Sequence, residues 1–166
     1  MTPLESAPRA PECQMTFRRA TLNDCALLAE LNHQLIRDEG HRNPMTVSEL
    51  AQRMKSWLTS EFTAVLFENG GSVIAYAVYA EQPEKIYLRQ LFVVRSRRRQ
   101  GLGRQAMEIL RSKIWPENRR LTVEVLVHNI AAVAFWRAMG YRDYSLLLEI
   151  MPAAAVPARK AVAREN

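Results

Sequence analysis

Ten residues, Arg95-Ser96-Arg97-Arg98-Arg99-Gln100-Gly101-Leu102-Gly103-Arg104, constrain the fold of this chain more than any other stretch. A strand-like run, Ile86 to Val94, leads into them, and an amphipathic run, Leu102 to Ile114, follows. The order is therefore strand, basic loop with two glycines, helix. The first turn of a helix carries unpaired N–H groups and a partial positive charge. An anion satisfies both, and phosphate oxygens are the usual occupants. Glycine lets the backbone approach such a ligand without a Cβ in the way. The spacing Arg98-x-x-Gly101-x-Gly103 lacks the Gly-Lys-Ser/Thr ending of a nucleotide-triphosphate loop and the three-glycine spacing of a dinucleotide fold.

The charge of the chain is concentrated in the same place. Its net charge is +6, and Arg89, Arg95, Arg97, Arg98, Arg99 and Arg104 fall within 16 residues. Such a cluster attracts nucleic acid, a membrane surface or a phosphorylated cofactor. No aromatic stripe is interleaved for stacking bases, which argues against single-stranded nucleic acid. The 166 residues, 48% hydrophobic and 24% charged, fit one globular domain with ragged ends. No run of 18 apolar residues is present, so no spanning helix is expected, and the N-terminus does not read as a secretory signal. Cys13 and Cys25 make no disulfide framework and have no metal-ligand spacing, which suits a reducing, cytoplasmic setting. His33, His41 and His128 form no zinc pattern, so no metal is expected.

Along the chain, residues 1–14 with Pro3, Pro8 and Pro11 predict a flexible lead-in, and the domain is expected over 15–151. Met15 to Arg19 is a first strand. Thr21-Leu22-Asn23-Asp24 is a capping box opening a helix over about 22–38, and Thr46-Val47-Ser48-Glu49 is a second, opening a helix to about Thr59. Phe62–Phe67 and Ser72–Glu81 read as strands joined by Asn69-Gly70-Gly71, a hairpin signal. After the strand, basic loop and helix comes Leu121–Val127, an apolar strand holding one charge, Glu124. Asn129 caps a short helix over 130–139, which Gly140 stops. Tyr141 to Met151 predicts one or two final strands, and 152–166 a disordered tail. The element order is an antiparallel meander followed by a parallel, helix-linked pair.

Two segments carry a resemblance. Arg98-Arg99-Gln100-Gly101-Leu102-Gly103 follows the fourth strand, and Asn129-Ile130-Ala131-Ala132-Val133-Ala134-Phe135-Trp136-Arg137-Ala138-Met139-Gly140-Tyr141 follows the fifth. Together they resemble the GNAT superfamily of acetyl-CoA-dependent N-acetyltransferases, the second matching its N-x-x-A-x-x-F-[YW]-x-x-x-G-[FY] pattern. The resemblance implies an α/β (α+β) fold. Its central sheet would be mixed, mostly antiparallel, with six to seven strands and four helices, splayed between strands 4 and 5. It implies acetyl-CoA as donor, with backbone amides from Arg99 through Gln100, Gly101, Leu102 and Gly103 to Arg104 on its pyrophosphate, and Arg98 and Arg104 supplying charge nearby. Leu91, Phe92 and Val93 would pair by backbone with the pantetheine arm. Asn129 would border the arm, and Phe135 and Trp136 would line the wall near the thioester or simply fill the helix–sheet core.

The chemistry sets its own requirements. An amine must be neutral to attack the thioester, yet a free alkylamine is mostly protonated at neutral pH. A base must therefore take a proton, directly or through water. Glu124 is the candidate: a lone carboxylate in an apolar strand tends to hold its proton, and it lies five residues before Asn129, where some GNAT enzymes acting on protein N-termini carry a base. A structural partnership with Arg89 is the alternative. Tyr87 lies fourteen residues before Gly101, where related enzymes place an assisting tyrosine; ordinary strand packing is its alternative. Many family members have tyrosine, the usual general acid, at the position of Trp136, and tryptophan supplies no proton at useful pH.

The acceptor, a small-molecule or peptide amine, stays open. The groove regions offer Asp38, Glu39, His41, Tyr141, Asp143 and Tyr144, whose carboxylates would attract a cationic amine or merely be solvated. The sequence does not fix the oligomer, and a homodimer, the commonest assembly generally, is possible. Two readings compete with the enzyme. A non-catalytic CoA-binding regulatory module is motivated by Trp136, and a nucleic-acid-binding protein by the arginine cluster.

Overall fold

The computed structural model describes residues 14–152. The expected lead-in and tail, 1–13 and 153–166 in the main, lie outside the described residues. One sheet contains β1 (Thr16–Arg19), β2 (Phe62–Asn69), β3 (Ser72–Glu81), β4 (Lys85–Val93) and β5 (Arg120–Val123), side by side in chain order. The first four are antiparallel to their neighbours, and β4 and β5 run parallel. Four α-helices accompany them: α1 (Cys25–Asp38), α2 (Val47–Leu58), α3 (Leu102–Ile109) and α4 (Ile130–Ala138). A 3-10 turn precedes α1, and a π turn, Leu110–Ile114, extends α3.

Local chemistry sets the ends of these elements. The Thr21 N–H donates to Asp24 at 2.7 Å. At the start of α2, Thr46 N–H donates to Glu49 Oε2 at 2.7 Å, and Glu49 N–H donates to Thr46 Oγ1 at 3.3 Å. Such caps are worth about 1 kcal/mol each. The β2–β3 turn needs left-handed backbone, which Gly70 (φ 59°) and Gly71 (φ 80°) supply.

Helices cover both faces of the sheet. On one face Leu28 and Leu31 of α1 and Met54 of α2 pack on Leu66, Tyr76, Val78 and Phe92. On the other, Met107, Leu110 and Trp136 pack on Val65, Tyr79 and Leu88. Burying each such side chain contributes about 1.5–3 kcal/mol.

Two expectations need correction. The sheet has five strands among the described residues, not six to seven, because Tyr141 to Met151 forms no ladder. The segment has strand-like apolar content, but a strand also requires an adjacent edge to pair with. From Arg142 on it instead lies exposed, with Leu147 at 89% and Ile150 at 99%, and is held by Arg42 donating to Glu149 at 2.7 and 2.8 Å. The fifth strand is also shorter than the expected Leu121–Val127. Its four pairs with β4 end at Leu88↔Val123.

The reason for that early end lies in β4. Its register against β3 jumps between Val78↔Gln90 and Tyr79↔Leu88, so Arg89 is the extra residue of a bulge. The bulge breaks the alternation of side chains, and Arg89 and Gln90 both face α1 and α2. The Arg89 guanidinium lies 5.5 Å from the Trp57 ring centre on α2, and Gln90 Nε2 donates to Asn32 Oδ1 on α1 at 2.8 Å. Beyond the bulge, β4 runs on to Val93 with no strand partner on its β5 side among the described residues.

Candidate active site

The basic loop connects β4 to α3 through a 3-10 turn, Arg95–Arg97. Arg99 (φ 64°) and Gly101 (φ 75°) are both left-handed. An arginine at positive φ is uncommon and costs conformational energy. Among the described residues, the amides of residues 99–104 donate to no backbone acceptor, and the first turn of α3 closes only with Gln105 N–H to Gly101 O at 3.1 Å. Alternating handedness and a helix start thus gather free N–H groups in one concavity, the arrangement that holds anions.

Gly103 has a packing role too. A Cβ there would sit 3.3 Å from Phe135 Cε2 and 3.4 Å from Cζ. The first turn of α3 therefore lies directly on the Phe135 ring of α4.

Arg98 is tied into the protein on three sides. Its Nε donates to Val93 O at 2.9 Å, its Nη2 donates to Asp38 Oδ2 at 2.5 Å, and its guanidinium lies 5.1 Å from the Phe92 ring centre. Arg95 pairs with the other oxygen of Asp38. Burial opposes the charge on Asp38, but the hydrogen bonds from Arg95 and Arg98 outweigh it and hold the carboxyl below its usual range. Asp38, at the last turn of α1, therefore fixes the loop rather than attracting a cationic amine. Asp143 is likewise engaged, by Arg137 at 2.5 Å. Gln100 and Arg104 are exposed, while Leu102 is buried beneath the loop.

Leu91, Phe92 and Val93 pair with Ala77, Tyr76 and Ala75 of β3 on one side. On α4, Asn129 caps the helix by accepting from Ala132 N–H at 3.2 Å. Trp136 is a core residue, edge-on to Phe135 at 4.9 Å and to Tyr141 at 5.2 Å. The Tyr141 hydroxyl is buried without a partner among the described residues, and burial pushes it up to about 12.

Glu124 follows the last residue of β5. Leu121, Val123 and Val125 pack against the α3–α4 core, so alternation turns Thr122 and Glu124 to the other face, the one shared by Tyr87, Arg89 and Gln90. Glu124 is exposed rather than enclosed by apolar residues, and among the described residues it makes no ion pair with Arg89. Arg89 Nη1 instead donates to Tyr87 Oη at 2.8 Å. Glu39 is pushed up by burial, with His128 acting in the opposite direction.

Sequence reasoning missed the polar cluster above the bulge. Asn32 is fully buried on α1, Tyr76 Oη bonds Gln90 Oε1 at 3.1 Å, and Arg53 lies 4.7 Å from the Trp57 ring centre. One signal was available: Asn32 interrupts the apolar side of α1. Among the described residues no group of three or more His, Cys, Asp or Glu is placed to hold a metal, and no helix is long and apolar enough to cross a membrane.

The profile of the acetyltransferase (GNAT) family matches residues 28–141. The chain belongs to that family. No curated protein matches it in a sequence search. Solved structures share the fold at low identity. The aminoglycoside N-acetyltransferase AAC(6')-Iy, in complex with CoA, is 15% identical, with TM-score 0.68 over 90% of this chain and 100% of its own. A predicted acetyltransferase of Clostridium acetobutylicum, with acetyl-CoA, is 18% identical, with TM-score 0.65 over 83% and 96%. An acetyltransferase from Thermus thermophilus is 22% identical, with TM-score 0.67 over 79% and 88%.

Proposed function

We propose that one domain, residues 15–151, transfers the acetyl group of acetyl-CoA to a primary amine by direct attack in a ternary complex. The carrying observation is the set of free amides at residues 99–104 beside the unpaired edge of β4. In a chain of this family the amides would take the pyrophosphate. Leu91, Phe92 and Val93 would offer backbone groups to the pantetheine arm, bordered by Asn129. Arg104 adds charge from the surface, whereas Arg98 acts by holding the loop to Val93 and Asp38.

The amine nitrogen forms a bond to the thioester carbonyl carbon. The C–S bond breaks with its electron pair going to sulfur. The amine proton passes to Glu124, directly or through water, and the thiolate takes a proton from water to leave as free CoA. Backbone N–H near Phe92 or Val93 stabilises the developing oxyanion. Tyr87, with Arg89 donating to its oxygen, keeps its own O–H available to orient the amine or return a proton. Trp136, packed in the α3–α4 core, serves as no acid.

The test is thermal unfolding with acetyl-CoA, free CoA and ATP. A ligand at a hundred times its Kd adds about 2.7 kcal/mol. Stabilisation by both CoA species and little by ATP is expected, and no shift with any of them would remove the reading. A homodimer, formed through the exposed Leu146, Leu147, Leu148 and Ile150, belongs to the same reading. Light scattering after gel filtration would return twice the 19.0 kDa chain mass. The cysteine usage supports a cytoplasmic setting.

A further inference from the structure

The bulge at Arg89 collects hydrogen-bond donors, two of which have no acceptor among the described residues. Arg53 from α2 and Arg89 from β4 both lie on the Trp57 ring, at 4.7 and 5.5 Å from its centre. Neither takes part in an ion pair among the described residues. Arg53 Nε and Asn32 Nδ2 are buried and donate to nothing there. Asn32 reaches the same bulge through Gln90. Burial and the neighbouring Arg89 both lower the affinity of Arg53 for its proton, so the two cations crowd each other. A fold does not gather two guanidiniums, one with an orphaned N–H, beside an orphaned amide without cost. A buried donor left unpaired costs roughly 1–3 kcal/mol, and an unmatched polar group of this kind marks a place for a water, an ion or a ligand.

We propose that Arg53 and Arg89, braced on Trp57, bind a carboxylate on the acceptor, so that the acceptor is a small amino acid: an amine and an acid in one molecule. The inference rests on the acetyltransferase reading and names the acceptor class for that site. Guanidinium forks match a carboxylate in shape and charge. The distance requires a small molecule. Arg89 and Tyr87 are two residues apart on one face, a rise of about 7 Å along a strand, and Glu124 turns to the same face beyond the last β4–β5 pair. A carboxylate on Arg89 therefore leaves its amine within a few bonds of Tyr87 and Glu124. The Arg53 and Arg89 guanidiniums repel a polycation at this end of the site.

The experiment measures initial rates on matched pairs, amino acids of increasing length against their carboxamides, with spermidine and neamine as cationic comparators. The acids are expected to exceed their amides in kcat/KM by at least about tenfold. Arg89→Gln, at an exposed position, is expected to abolish that preference through KM, and Arg89→Lys to restore part of it. Arg53→Gln tests the second cation. Amides or cationic amines used as well as the acids, or a preference that survives both glutamine variants, would overturn the proposal while leaving the transferase reading intact. The same pairs are titrated by thermal shift without acetyl-CoA. Stabilisation by an acid, absent with its amide and lost in Arg89→Gln, supports the carboxylate site even where acetyl-CoA itself gives no shift. Equal response to acid and amide counts against it.

Discussion

The two sides of the opening between β4 and β5 are made of different material. The loop side is made of backbone: free amides at residues 99–104, shaped by left-handed Arg99 and Gly101, with the flanking arginines held by Asp38. The bulge side is made of side chains: Arg53, Trp57, Arg89, Tyr87 and Gln90, brought from α2 and β4. A backbone site depends on conformation and tolerates exchange of its side chains. A side-chain site depends on identity and changes its ligand with single substitutions. The general fold can therefore keep one donor while the acceptor varies.

The largest effect should come from the proposed base. Glu124→Gln is expected to lower kcat about 100-fold while the thermal shift with acetyl-CoA stays at the wild-type value; a kcat within threefold would take Glu124 out of the chemistry. Next, Gly103→Val drives a branched side chain into the Phe135 ring. Overpacking of this kind costs about 1–3 kcal/mol, roughly 2–4 °C per kcal/mol for a domain of this size, and the acetyl-CoA shift should vanish with it. A calorimetric Tm equal to wild type would show that α3 and α4 do not interlock as described.

Asp38 joins the two sides, since it lies on α1 but holds the loop. Asp38→Asn should release Arg95 and Arg98 and raise KM for acetyl-CoA by about threefold to tenfold, with little change in the acid-over-amide preference. An effect on the preference alone would reverse that assignment. The smallest effect is a control away from both sides. Hydrogen bonds from Arg18 come first, then burial works against the charge and Thr21 supports it, leaving Asp24 at about 2. A depressed carboxyl stabilises the fold above its unfolded value near 4 and loses that contribution as pH falls towards 2. Asp24→Asn should cost about 1 kcal/mol at neutral pH, and the difference from wild type should shrink below pH 4 in urea titrations.

The same contrast explains what the sequence made legible. Gly101, the capping boxes at Thr21 and Thr46, and the Asn129 cap were readable because each acts within a few residues. The bulge was not, because an extra residue at Arg89 shows only when β4 is set against β3. Trp57 lies on an apolar stripe of α2 and packs against the core, and its ring also carries two arginines from separate elements. Glu124 was expected in an apolar strand, but β5 ends one residue earlier. The final strands were overread for a related reason. Alternation reports that Tyr141 to Met151 suits a strand, and says nothing about which edge would receive it.

The contact between Gly103 and Phe135 also bears on how such sequences drift apart. The two positions, 32 residues apart in the chain, share one volume. A Cβ alone at 103 asks the ring to give by a few tenths of an ångström, but a branched residue there becomes acceptable only after the ring at 135 has shrunk, and a smaller residue at 135 leaves a void that invites growth at 103. Descendants should therefore change at these sites in a fixed order, through an intermediate with a cavity rather than one with a clash. Cavities at a helix crossing are tolerated more readily than overlap of backbone-anchored atoms. The pair would then act as a ratchet on divergence, holding the loop geometry constant while the acceptor face is free to change.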